Sequence, residues 1–134
     1  MPATLPAFPE EPAEFSLPSG FQSTPKRRDE IALDVCECLI DIVAALFSVP
    51  SKELRKPGRA SLPVSRVRQI AMYVAHVVLR LTMSEVGRGF GRDRTTAIHS
   101  CQLIEDMRDD RDFDHVVLMV ERIAHAAFHD RLGL

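Results

Sequence analysis

The stretch Thr82-Met83-Ser84-Glu85-Val86-Gly87-Arg88-Gly89-Phe90-Gly91-Arg92-Asp93-Arg94-Thr95-Thr96 reads as a short helix, a tight turn and the start of a second helix. Thr82 to Glu85 opens the short helix, and Asp93 is placed to cap the second, which continues to about Asp109. Glycines 87, 89 and 91 are expected to give the turn its permissive backbone, with Phe90 as the apolar pin to the core. Ile98, Cys101 and Ile104 fall on the inner side of the second helix. Arg92, Asp93, Arg94, Thr95 and Thr96 crowd its first turn, where side chains and free backbone amides can meet a phosphate or reach into the major groove. An ordinary helical hairpin gains little from two arginines at the positive end of a helix dipole, and an external anion removes that penalty. The pattern predicts a helix-turn-helix that presents its second helix to DNA.

Outward from that stretch the periodicity stays helical. Thr24-Pro25 is a good helix start, and Ile31, Val35, Cys38, Ile42 and Ala45 recur at three- and four-residue steps as far as Val49-Pro50. A helical turn capped by Ser51 precedes the basic loop Lys56-Pro57-Gly58-Arg59. A third helix is expected from near Pro63 to about Leu81. It would bury Val67, Ile70, Ala71, Val74, Val77, Val78 and Leu81 and leave Arg66, Arg68, Tyr73 and His76 nearer its edges. Beyond the second helix of the motif, Asp112 is a candidate cap for a last helix. Its apolar positions are Phe113, Val116, Val117, Val120, Ile123, Ala124, Ala127 and Phe128. No segment alternates as a strand would, so residues 26–134 are expected to form an all-α domain of five or six helices.

Charge is distributed unevenly. The net charge is −2, yet residues 51–94 carry ten basic side chains against three acidic ones. Residues 1–50 have three basic and eight acidic side chains, and residues 95–134 have four and eight. A basic centre between acidic flanks is the footprint of a phosphate-binding surface. Within it arginine outnumbers lysine eight to two, which favours the planar, bidentate contacts that phosphate and base edges accept.

Residues 1–25 hold six of the nine prolines and few large apolar residues, and are expected to be a disordered tail. The tail lacks the basic start and apolar run of a signal peptide, and no stretch is apolar enough to span a bilayer. A soluble, cytoplasmic, nucleoid-associated protein is therefore expected. Cys36, Cys38 and Cys101 read as free thiols in apolar surroundings, and the first two point to opposite sides of a helix, a poor arrangement for one ion. His125 and His129 have a chelating spacing but only Asp130 near them, so they read as surface histidines. His99 reads as a packing residue, and Glu105, Asp106, Asp109 and Asp110 as a solvated acidic face. No catalytic constellation, cofactor site or metal site is expected.

Several blocks in order carry a family resemblance. Ser84-Glu85-Val86-Gly87 followed by Phe90-Gly91-Arg92-Asp93-Arg94-Thr95-Thr96-Ala97-Ile98-His99-Ser100-Cys101 resembles the signature of the C-terminal DNA-binding domain of DnaA, the bacterial chromosomal replication initiator. The likeness extends upstream through Phe47-Ser48-Val49, Leu54-Arg55-Lys56 and Pro63-Val64-Ser65-Arg66-Val67-Arg68-Gln69-Ile70-Ala71-Met72, and downstream through Ile104-Glu105, covering about residues 30–125. It implies an all-α domain that binds A·T-rich DnaA-box sequences in double-stranded DNA. Asp93, Arg94, Thr95 and Thr96 would then read bases in the major groove, with threonine methyls suited to thymine and the aspartate to a cytosine amino group. Arg66 would reach the narrow minor groove. Arg68, Arg92, Lys56 and Arg59 would bind phosphate, with a contribution from Gln69.

This sequence departs from the family pattern at two places. One glycine, Gly91, stands before Arg92 where the family has two, and Arg94 stands where the family has histidine. There is also no G-x-x-x-x-G-K-[ST] loop in these 134 residues, so no ATPase domain is expected and ATP-driven assembly is not expected to carry over. The expected role is regulation of transcription or of replication initiation. The rival reading is a degenerate domain of this type that binds a protein partner, or pairs as a homodimer, through helix 26–48.

Overall fold

The computed structural model describes residues 27–58 and 60–132, with side chains through Asp130. The expected 1–25 tail, the Thr24-Pro25 helix start and Arg59 lie outside the described residues. Among those described, six helices and no strand form the chain: α1 (Arg28–Phe47), α2 (Ser51–Arg55), α3 (Leu62–Val77), α4 (Met83–Gly89), α5 (Arg94–Met107) and α6 (Arg111–Leu132). The all-α expectation holds.

α3 is the axis. It packs against every other helix, most extensively against α5 and α1. Such a helix has no single inner stripe, and Val67, Arg68 and the run from Ile70 to Ala75 are all buried. The expected stripe therefore needs correction. Arg68 and Tyr73 lie inside rather than at the edges, and Val77 is 47% exposed. The helix also ends earlier than Leu81, because Arg80 adopts φ 60° and folds the chain back so that Leu79 and Leu81 tuck underneath.

α1 lies between α3 and α4, which rotates its buried side relative to the expected stripe. Ala32, Val35, Cys36, Leu39, Ile40, Val43 and Ala44 are buried, whereas Ile31, Cys38 and Ile42 are marginal and Ala45 is exposed. Ser48, at φ 54°, ends it: the amides of Ser48 and Val49 both donate to the Ala44 carbonyl. Burial pushes the Cys36 thiol up to about 12 and the Cys101 thiol up to about 11, so both stay protonated and unreactive at neutral pH.

α6 covers the far side of α3 with Val117, Val120, Ala124 and Phe128. Its cap is Asp110, not Asp112, because the Asp110 carboxylate accepts from the Phe113 amide at 3.0 Å. At the same corner Arg108 pairs with Asp114 and Glu121 and donates to the Tyr73 hydroxyl, while that hydroxyl donates to Glu105. Glu105 and Asp110 thus bind within the fold rather than forming a purely solvated acidic face.

Candidate nucleic-acid interface

The motif stretch folds through three separate local causes. Thr82 and Glu85 form a capping box: the Thr82 hydroxyl accepts from the Glu85 amide at 3.1 Å, and the Glu85 carboxylate accepts from the Thr82 amide at 2.8 Å. Glu85 is buried and also holds Arg28 through two hydrogen bonds, which ties the start of α1 to α4. The Arg28 guanidinium, with help from Thr82, holds the Glu85 carboxyl below the usual carboxylate range against the opposing effect of burial.

The turn itself needs its glycines for different reasons. Only Gly91, at φ +67°, occupies the left-handed region, so the expected permissive backbone at Gly87 and Gly89 is corrected. Those two are helical and lie at close approaches. A Cβ on Gly87 would sit 2.8 Å from the Arg92 carbonyl oxygen, and one on Gly89 would sit 2.3 Å from the Cys36 sulfur. Gly87 lets the Arg92 amide donate to its carbonyl at 2.7 Å, which closes the turn directly onto α4. Phe90 is buried and pins that turn to the core, as expected.

Asp93 then caps α5, accepting from the Thr96 amide at 2.7 Å, and this contact holds its carboxyl below the ordinary value. α5 rests on Ala97, Ser100, Cys101 and Ile104, with Ile98 only half-buried. Asp93, Arg94, Thr95 and Thr96 are all exposed. His99 and Gln102 continue that face one and two turns further on. His99 is therefore not a packing residue, and its spacing of three and four from Thr96 and Thr95 is the signal that places it on the outward face.

Upstream residues divide into two groups. Arg92, half-buried, donates to the Lys56 carbonyl at 2.7 Å across 36 positions of sequence, which brings the α2–α3 loop to the start of α5. Arg68 lies beneath them at 7% exposure and donates to the Leu54 carbonyl at 3.0 Å and the Glu53 carbonyl at 3.2 Å, at the end of α2. Burial, and secondarily the charge of Arg92, lowers its affinity for its proton. Lys56 is exposed and pairs with Glu53 at 3.0 Å. Arg66 and Gln69 form a separate pair on α3, joined by a 2.9 Å hydrogen bond. The structure thus gathers Lys56, Arg68 and Arg92 beside the capped start of α5. Among the described residues no group of three or more potential ligands could hold a metal ion, and no helix is long and apolar enough to cross a membrane.

Residues 36–104 match the family described as the bacterial DnaA protein helix-turn-helix. Over 93 residues the chain is 32% identical to the chromosomal replication initiator protein DnaA of Mycobacteroides abscessus, an alignment spanning 68% of this chain and 19% of that protein. It is similar to a solved DNA replication initiation factor with a TM-score of 0.66 and 27% identity, over 79% of this chain and 32% of that one. It is also similar to a replication initiator DnaA bound to AMPPCP and single-stranded DNA, with a TM-score of 0.63 and 28% identity, over 73% and 30% of the two chains. The chain spans well under half the length of each of these relatives.

Proposed function

This chain belongs to the bacterial DnaA helix-turn-helix family, and from that premise we propose that it binds double-stranded DNA sequence-specifically, at sites related to the DnaA box. The observation that carries the reading is the exposed first turn of α5 beside a concentrated positive cluster. Thr95 and Thr96 offer methyl groups to thymine, and Arg94 offers a guanidinium to phosphate or to guanine. Arg66, with Gln69 holding its guanidinium, serves the minor groove. Lys56, Arg59 and Arg92 meet phosphate, while Arg68 supports them from below by holding the end of α2. In this proposal the domain of residues 26–134 regulates transcription or replication initiation and reads DNA without nucleotide hydrolysis.

Arg94 in place of histidine, and one glycine in place of two, support a site preference shifted from the usual box. The test is selection of bound sequences from a random duplex pool, followed by titration at several salt concentrations, with a single-stranded arm. A recovered motif, duplex preference and a log–log salt slope of about −0.9 per phosphate contact are the expected results. Shallow, sequence-blind binding that survives Arg66→Ala and Thr95→Ala would sink the proposal. That outcome would favour the rival reading, in which the exposed face of α1, with Asp29, Glu30, Glu37, Asp41 and the 44%-exposed Leu33, binds a protein.

A further inference from the structure

Two guanidinium groups converge on the end of α2. Arg68 reaches it from inside the domain, through the Leu54 and Glu53 carbonyls, and Arg92 reaches it from the head of α5, through the Lys56 carbonyl at 2.7 Å. They stand close enough that, after burial, the Arg92 charge also weakens the hold of Arg68 on its proton. The carbonyls that the last turn of a helix leaves without intrahelical donors offset that repulsion. A second carbonyl, that of Gly91, accepts from Arg92 Nη1 at 3.3 Å. The main chain of Arg92 is fixed as well: its amide closes the turn onto Gly87, and the next residue, Asp93, caps α5. One residue therefore holds the α2–α3 loop by its side chain and the head of the reading helix by its backbone.

We propose that Arg92 is a positioning residue: its guanidinium locks the α2–α3 loop to the head of α5, so that Lys56 meets phosphate in fixed register with the bases that Arg94, Thr95 and Thr96 read. This role rests on the DNA-binding reading above, and it goes beyond the charge that Arg92 offers to phosphate. Phosphate contacts place a protein on the duplex, and base contacts then discriminate sequence. The two act together only if the span between them is set before binding. A loose loop would let Lys56 find a phosphate whichever base pairs lay under α5, and discrimination would fall.

The loop depends on this link because little else about Lys56 fixes it. Its side chain is 67% exposed, and its ammonium pairs with Glu53 on α2, which ties it to its own helix but not to α5. Pro57 and Gly58, which follow, are exposed too, and Gly58 turns the chain at φ +85°. The planar fork of arginine can serve the Lys56 and Gly91 carbonyls together and is set in place before DNA arrives. A lysine at position 92 would keep the attraction to phosphate without that fork.

Arg92→Lys in the full chain separates charge from positioning. In the free protein, hydrogen exchange of the Lys56 amide, which donates to the Lys52 carbonyl at 3.1 Å, should speed up about threefold or more. The ratio of affinities for a selected duplex over a scrambled one, read by fluorescence anisotropy at one salt concentration, should fall about tenfold. Lys56→Ala keeps the carbonyl that Arg92 binds. It should weaken binding to the selected duplex about fivefold in the parent and less than about twofold in the Arg92→Lys background. Parental exchange at Lys56 overturns the proposal whatever the DNA result, because the link then does not hold the loop. A parental affinity ratio in Arg92→Lys overturns it too and leaves Arg92 as a phosphate charge. So does a Lys56→Ala effect that is the same in both backgrounds. If the parent selects no duplex, the DNA-binding reading falls and the positioning role with it. The exchange measurement, made without DNA, keeps that failure distinct from a failure of the link itself.

Discussion

The α2–α3 region and the head of α5 are both rich in positive charge, and the fold treats them in opposite ways. In the first, Arg55 is drawn onto Asp41 at 3.2 Å, Lys56 onto Glu53, Arg66 onto Gln69, and Arg68 onto two carbonyls inside the domain. In the second, Arg94, Thr95 and Thr96 stand exposed on a helix whose cap and turn are locked by Asp93 and Gly87. Cations counted in the sequence are therefore not equivalent. Arg55 and Arg68 of the first region bind groups of the fold itself, whereas Arg94 of the second stands free of such contacts among the described residues, on the reading helix. Arg92 joins the two through the Lys56 carbonyl.

The comparison can be broken most severely at the turn. Gly87→Ala places a methyl 2.8 Å from a backbone oxygen that cannot move without opening the turn, and a loss of about 3 kcal/mol is expected, the upper part of the range for overpacking. Gly91→Ala meets no atom within 4 Å and suffers only its positive φ, so about 1 kcal/mol is expected. Urea midpoints of the two variants measure the gap. Equal losses would mean that backbone conformation, not close approach, makes the turn.

Arg68→Met tests the first region. It leaves the Leu54 and Glu53 carbonyls without their charged donor, and about 2 kcal/mol of stability should be lost, read as a lower urea midpoint. Hydrogen exchange should rise first near residues 53–58. Undiminished stability combined with weaker DNA binding would instead make Arg68 a direct phosphate ligand. Arg94→Ala sharpens the other side of the contrast. Stability should change by no more than about 0.5 kcal/mol, while duplex affinity falls by roughly 1–3 kcal/mol, measured by fluorescence anisotropy.

The smallest effect is a pH dependence. Glu85 has its carboxyl held below the ordinary value near 4.5, chiefly by Arg28. A lowered folded-state pKa contributes stability above the ordinary value and loses it as pH falls through the folded value. The parent should therefore lose stability more steeply than Glu85→Gln below about pH 4.5. Parallel curves in acid titrations of the two proteins would show that the pair contributes nothing.

Much of this was legible in the residues. Thr82 and Glu85 announce a capping box three positions apart, and Asp93 announces a cap before a helical run, because both are made within one turn of backbone. His99 shares the outward face with Thr95 and Thr96 at helical spacing, so its place was legible from the same period that sets Cys101 and Ile104 inward. Asp110 and Asp112 are both chemically fit to cap α6, and the corner held by Arg108 selects the first. The fates of Gly87 and Gly89 depend on Arg92 and Cys36, which approach from outside the helix that contains them.

Helix content, the capped start of the reading helix and the basic centre were determined by the order of residues alone, since each arises from neighbours a few positions apart. Only the tertiary structure decided which cations face outward. Packing α3 against five other helices buried Arg68 at the end of α2 and drew Lys56 to Arg92 across 36 positions, while Arg94 remained at the surface. Helical period marked many of the apolar residues that are buried, but whether a cation is buried depends on what the chain brings together from afar, as the burial of Arg68 against the end of α2 shows.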